Sequence, residues 1–183
     1  GIILDSDGTT ELLDLYDAFG VTQQTKSMVL GTSTTKVRNK LVEAKRLTEA
    51  YLGGIMSSGY HIIASASFFD AFVAHADVEK AYDRYQEGSF FRNDQRPGFE
   101  FAGVSIEEYR GQVGSQKFIA DGEAYMIPTG IARMFMTKFA PVDYMETVNT
   151  NGLPYYAKQE LRPFAQGVDI ESQSNPLMIN TRP

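Results

Sequence analysis

The chain has 183 residues, 43% of them hydrophobic and 22% charged, with a net charge of −6 and a pI near 4.9. That length suits one sizeable core, or one domain carrying an inserted lobe, and the composition is that of a globular domain. The lack of cysteine excludes disulfides, thiolate metal sites and a Cys nucleophile; the acidity disfavours sequence-independent nucleic-acid binding, which needs Lys and Arg against phosphates; and no apolar run approaches the roughly 20 residues of a membrane span.

The chain opens on Gly1-Ile-Ile-Leu-Asp-Ser-Asp-Gly-Thr-Thr10. Ile2 to Leu4 predicts a strand and Asp5 to Gly8 a turn, because Asp-Gly between apolar runs is a strong hairpin signal. From Glu11 to Phe19 the apolar residues fit both a helical and an alternating period, and Gly20 closes the segment. Lys26 to Leu30 predicts a short strand. Thr35 to Leu52 predicts an amphipathic helix, with Val37, Leu41, Ala44, Leu47 and Tyr51 on one face. Lys36, Arg38, Asn39, Glu43, Arg46 and Glu49 cover the other face, and Gly53-Gly54 stop it. Acids interspersed among those bases mark a solvated face rather than a nucleic-acid surface.

Tyr60 to Ala66 predicts a buried strand. Ser67 then caps a helix reaching Ala74, with Phe68, Phe69, Phe72 and Val73 inward. Asp77 caps another, with Val78, Ala81, Tyr82 and Tyr85 as its stripe and Gly88 as its end. Ser89 to Gly98 is a polar surface connection. From Phe99 the period becomes two, through Phe101, Val104 and Ile106. Phe118 to Ile127 predicts a second hairpin turning at Asp121-Gly122 and ended by Pro128 and Gly130. Met134 to Phe139, Tyr155 to Leu161, Val168 to Ser174 and Leu177 to Ile179 are further strand candidates, and residues 147–152 a loop. The irregular alternation of periods, without a βαβ rhythm, predicts an α+β fold.

Asp5-x-Asp7-Gly-Thr resembles the first motif of the haloacid-dehalogenase-type phosphatases. That resemblance implies Asp5 as nucleophile, Asp7 as acid/base and a magnesium ion beside them. The rest of the family's machinery is thin: Ser65 ends a strand, Lys117 or Lys138 could serve as the lysine, and no late acidic pair follows an apolar strand. Glu107-Glu108 sits in a turn-like stretch, and Asp169 and Glu171 lie on an alternating one. A calcium loop opening at Asp5 fails because its twelfth residue is Tyr16. His61 and His75 stand alone, the first a strand residue with a satisfied ring and the second at a helix end. No nucleophile-elbow, phosphate-loop or dinucleotide-binding motif is present.

Motifs spread along the whole chain carry a second resemblance: Asp5-Ser-Asp-Gly-Thr9, Phe19-Gly-Val21, Phe68-Phe-Asp70, His75-Ala-Asp-Val78, Phe99-Glu-Phe-Ala-Gly103, Glu108-Tyr-Arg-Gly111, Pro128-x-Gly130, Ala140-Pro141, Val148-Asn-Thr-Asn-Gly152, Tyr156-Ala-Lys158 and Ser174-Asn-Pro-Leu177. In this order they are similar to the lambda-like major capsid proteins of tailed phages, the capsid protein E family. The resemblance implies an α+β tailed-phage capsid fold with a peripheral and an axial domain. It also implies that the chain is a C-terminal portion, lacking the N-terminal arm, extended loop and spine helix, and the absent initiator Met reads the same way. Residues 1–59 and 142–183 are expected in the peripheral part and 60–141 in the axial lobe. The implied function is structural, in a phage or prophage icosahedral capsid. Catalytic, metal and cofactor sites would be absent, other copies of the subunit would be the partners, and scaffold or decoration proteins would be further candidates. Specific nucleic-acid and membrane partners are not expected. The implied location is the virion, and the host cytoplasm before assembly. Twelve Phe and ten Tyr suit repeated subunit contacts, with Ser89 to Gly98 and Asn149 to Pro154 as candidate contact segments. The competing readings are the magnesium phosphatase and a stand-alone binding module.

Overall fold

The computed structural model describes residues 1–5, 7–83, 96 and 98–183. The fold is α+β and falls into two compact units, Gly1–Gln23 with Arg133–Pro183 (unit 1) and Gln24–Ala132 (unit 2). Helix α2 (Val37–Tyr51) falls in unit 2, where its Val37 and Leu41 share one buried cluster with the central sheet.

Unit 2 is built on a four-stranded sheet in the order β4-β5-β3-β8. Strand β3 (Gly59–Ala64) is central, parallel to β5 (Val104–Glu108) and antiparallel to β8 (Ala124–Thr129). Strand β4 (Phe99–Phe101) pairs with β5 across the two-residue turn Ala102-Gly103, both at positive φ (52° and 70°). A positive φ at both central residues matches the right-handed twist of the flanking strands. Lys45 Nζ, reaching from α2, donates to the carbonyls of Ala102 (2.6 Å) and Gly103 (3.2 Å) and pins that turn. The alternation read from Phe99 is thereby realised, with Phe99, Phe101, Val104 and Ile106 all buried.

Helices α3 (Ala66–Val73) and α4 (Ala76–Asp83) follow β3. The cap position of α3 lies two residues before the expected one. Ser65, not Ser67, is the extended residue ahead of the helix, and it is buried. Its hydroxyl donates to Glu123 O at 3.0 Å and accepts from Gly122 N at 3.1 Å, tying β3 to the approach to β8. Likewise, Asp77 lies inside the first turn of α4. Its N–H donates to His75 Nδ1 at 3.1 Å, so the ring of His75 does the capping. Nδ1 therefore accepts, and the hydrogen sits on Nε2, which faces Thr32 O at 3.0 Å. The Tyr82 and Tyr85 part of the expected stripe, and its stop at Gly88, lie outside the described side chains.

Three local expectations fail for identifiable reasons. Lys26 to Leu30 is not a strand: Val29 has φ 52°, while Met28 and Leu30 pack on the core and Lys26 pairs with Glu43 at 2.6 Å. Phe118 to Ala120 is not a strand either. The Asp121-Gly122 turn forms, with Gly122 at φ 82°, but β8 pairs with β3, because a buried central strand offers more than a local partner. A small hairpin lies just before it, β6 (Gln112–Val113) with β7 (Gln116–Lys117). Finally, Pro128 does not end β8, which runs to Thr129. As an edge strand it tolerates a residue that cannot donate a hydrogen bond.

Unit 1 is made of three two-stranded sheets. Strands β1 (Ile2–Leu4) and β2 (Glu11–Asp14) form the predicted opening hairpin. The ambiguous Glu11 to Phe19 segment proves to be both things in succession. It is strand to Asp14 and helix α1 (Leu15–Phe19) thereafter, with the Asp14 carboxylate capping Tyr16 N and Gly20 closing the helix at φ 64°. Strand β9 (Phe135–Phe139) pairs with β12 (Pro176–Asn180), and β10 (Tyr156–Leu161) with β11 (Val168–Gln173). The only buried apolar residues of unit 1 among those described are Leu15, Met134 and Val142; the others all lie in unit 2.

Candidate functional site

The opening loop shows what Asp5 and Asp7 do. Asp7 accepts from Thr9 N and Thr10 N, both at 2.8 Å, and from the Thr10 hydroxyl. Asp5 N donates to Thr10 O (2.8 Å), and Gly8 N donates to Asp5 O (2.9 Å), with Gly8 at φ 70°. The carboxylate of Asp7 is thus an intraloop acceptor, and these hydrogen bonds hold its pKa well below the ordinary carboxylate range. A depressed folded-state pKa gives stability that is present above the unfolded value near 3.9 and is lost as pH falls through the folded value. The hairpin should therefore keep its Asp7 contacts at pH 4 and lose them only in stronger acid. Carboxyl-carbon NMR of Asp7, followed against the Thr9 and Thr10 amides, reads this directly; an Asp7 midpoint at or above 3.9 would contradict it.

The other residues the phosphatase reading requires are engaged locally or lie apart on other elements. Ser65 holds Glu123 and Gly122 as described. Lys117 pairs with Asp121 at 2.7 Å, and Lys138 lies on β9. Glu107 and Glu108 are on β5 rather than in a turn, Glu107 lying 3.3 Å from His61 Nε2 and Glu108 3.3 Å from Arg110 Nε. Asp169 pairs with Arg162, and Glu171 accepts from Gln173 at 2.9 Å. The His61–Glu107 pair is one that sequence spacing could not show, since β3 and β5 meet only through the parallel pairing. Among the described residues, no three His, Asp or Glu side chains converge on a metal-sized space. No helix is long and apolar enough to cross a membrane, again among the described residues. We expect neither the chain nor its Asp5→Asn variant to release phosphate from p-nitrophenyl phosphate in magnesium. Turnover lost on substitution would reverse this reading.

What the structure offers instead is surface. Among the described residues, most of the exposed large apolar side chains lie in unit 1, including Leu12, Phe135, Met145, Tyr155, Leu161, Phe164, Ile170 and Met178. Unit 1 thus carries many exposed apolar side chains over few buried ones among the described residues. Of the two expected contact segments, Ser89 to Gly98 lies almost wholly outside the described residues. Asn149 to Pro154 is described and largely exposed, with Asn149 at φ 57°. Within it Gly152 presses on the backbone of β9: a Cβ there would lie 2.0 Å from Phe139 O. Tyr156 fixes the far side of the loop, its hydroxyl accepting from Leu153 N at 2.8 Å.

Comparison with known proteins decides between the readings. The family model for phage major capsid protein E matches residues 1–183, the whole chain. The chain belongs to the phage major capsid protein E family. A curated relative, the major capsid protein of Pseudomonas phage KPP10, is 33% identical over 180 residues, covering 88% of this chain and 51% of the relative. The chain thus spans about half the length of that curated relative. Membership makes sense of the capsid-protein-E motifs on physical grounds. Phe99-Glu-Phe-Ala-Gly103 is β4, with its two rings buried, and its positive-φ turn; Phe68-Phe-Asp70 supplies the inward Phe68 and Phe69 of α3 beside an exposed Asp70; and Val148-Asn-Thr-Asn-Gly152 is the loop that needs a glycine against β9. In a phage major capsid protein these are residues of architecture, and the first motif's Asp7 joins them as a loop acceptor.

Proposed function

We propose that this chain is part of a structural subunit of a phage or prophage icosahedral capsid, acting by self-assembly through its surfaces and without catalysis. The observation that carries the reading is the family match along the entire chain. The exposed apolar side chains of unit 1 support it, since a subunit whose surface is covered only after association has reason to expose them. In this reading unit 1 belongs to the peripheral domain of the tailed-phage fold and unit 2 to the axial domain, with α2 in the latter. The arm, extended loop and spine helix belong to sequence outside Gly1–Pro183. The partners are other copies of the subunit, with scaffold and decoration proteins as further candidates, and the location is the virion shell after a cytoplasmic stage in the host. Contacts that build a closed shell repeat by symmetry, and each alone is weak.

The test is to express the complete reading frame that contains this chain and to view the product by negative-stain electron microscopy. Closed shells are the expected result. Folded, soluble protein that forms no particles, with or without its neighbouring genes, would overturn the proposal.

A further inference from the structure

The β10–β11 hairpin is exposed except at the half-buried Tyr156 and Gln173, and among the described residues its two strands pair only with each other. The register places Tyr156, Lys158 and Glu160 on one face with Gln173, Glu171 and Asp169. The other face carries Ala157, Gln159 and Leu161 opposite Ser172, Ile170 and Val168. Leu161 is 67% exposed and Ile170 75%. A lone two-stranded hairpin with one bare apolar face is marginal in water, and its unpaired edges are templates for another strand.

Charges on such an edge normally repel a like edge. Their order along β10 does the reverse. Lys158 precedes Gln159 and Glu160 follows it, so a second β10 laid antiparallel about Gln159 puts Lys158 opposite Glu160 of the other copy, twice. The same register sets Ala157 against Leu161 and Gln159 against itself. All these partners share a face, as direct cross-strand neighbours must. Lys158 already meets Glu146 at 2.8 Å, but its ammonium has three hydrogens and remains half exposed. Glu160 makes no direct ion pair among the described residues; the cation acting on it is Lys158 of its own strand, on the same face.

We propose that the free edge of β10 pairs antiparallel with β10 of a second copy, about a two-fold axis at Gln159, giving a four-stranded β11-β10-β10-β11 sheet. The contact is isologous, each copy presenting the same patch. It also joins two small apolar faces into one. This deepens the capsid reading and rests on it, by naming one subunit contact.

Because the chain has no cysteine, the pairing can be read with single thiols. In this register residue 159 faces its own copy at a Cα separation of about 4.5–5.5 Å, within the range a disulfide needs. Under diamide, Gln159→Cys should form covalent dimers at least tenfold faster than Ala157→Cys or Leu161→Cys alone. An equimolar mixture of those two should cross-link as a heteropair. Glu160→Lys, which leaves the Lys158–Glu146 contact in place, should suppress the Gln159→Cys dimer; adding Lys158→Glu should restore it. Equal cross-linking at all three positions, or indifference to the charge changes in variants with unaltered circular dichroism, would overturn the pairing. The Gln159→Cys change is also placed in the complete reading frame. Shells without a cross-link remove this contact and leave the assembly reading standing, whereas the absence of shells from the unsubstituted frame removes the reading itself.

Discussion

Replacing Phe72 with Ala should cost unit 2 about 3–5 kcal/mol, the usual range for deleting a fully buried aromatic ring. Phe72 is completely buried. Its ring stacks on Phe68 (6.2 Å between centroids) and meets Phe99 and Phe101 edge-on at 6.0 and 5.8 Å. It is therefore the piece of α3 that holds the helix to β4, and the loss includes these edge-to-face contacts as well as buried area. Against a typical total of about 5–15 kcal/mol, the change removes much of the unit's stability. Amide exchange read by mass spectrometry would localise it. Protection should fall across β3, β4 and β5 while β9 and β12 keep theirs. Phe118→Ala, at a ring 60% exposed, is the control and should shift little. Equal protection in the Phe72 variant would show that the cluster does not hold the sheet.

Gly152→Ala should be the most damaging small change in unit 1, at roughly 2–3 kcal/mol. The neighbours of the missing Cβ are the carbonyl of Phe139 at 2.0 Å and the carbonyl carbon of Ala140 at 2.6 Å. Both are backbone at the end of β9, so no side chain can swing aside. The loop or the strand end must move, and β9 is the only sheet partner of β12 among the described residues. Exchange should accelerate at residues 176–180 first. Gly114→Ala makes a fair comparison: Gly114 has φ 59° but no atom near its missing Cβ, so it tests backbone strain without crowding. If the two variants unfold alike, the close approach carries no special cost.

How far the sequence could be read depended on where each segment finds its partner. The opening hairpin, α2 and the β9, β10 and β11 strands were legible because their signals are local: Asp-Gly turns, an i/i+4 stripe ended by Gly53-Gly54, and alternation. Tyr51 shows the limit, since it continues the stripe yet is 62% exposed while Leu52 takes the buried place. Ser67 and Asp77 were misassigned as caps because the capping positions, Ser65 and His75, are held by distant groups, Glu123 for one and Thr32 for the other. Lys26 to Leu30 and Phe118 to Ala120 have strand-like composition but no partner strand. Period cannot reveal that lack. The Asp5-Asp7 motif misled for the opposite reason: the spacing that serves phosphoryl transfer also builds a tight loop. Only the hydrogen bonds from Thr9 and Thr10 distinguish the two. Family membership was visible in collinear motifs whose individual physical reasons emerged only with the fold.

The division of the chain has a consequence for the order of events on the ribosome. Unit 2 is one continuous stretch, Gln24–Ala132, whereas unit 1 is split around it and β9 waits for β12, which is made after it. Domains fold as they emerge, at roughly 5–20 residues per second. The aromatic core of unit 2 can therefore consolidate before residues 176–180 have left the ribosome, and the β9–β12 sheet closes only after them. Many of the exposed apolar side chains of unit 1 thus emerge when unit 2 is already folded, so the earlier-made core gives them no unfolded partner to collapse upon.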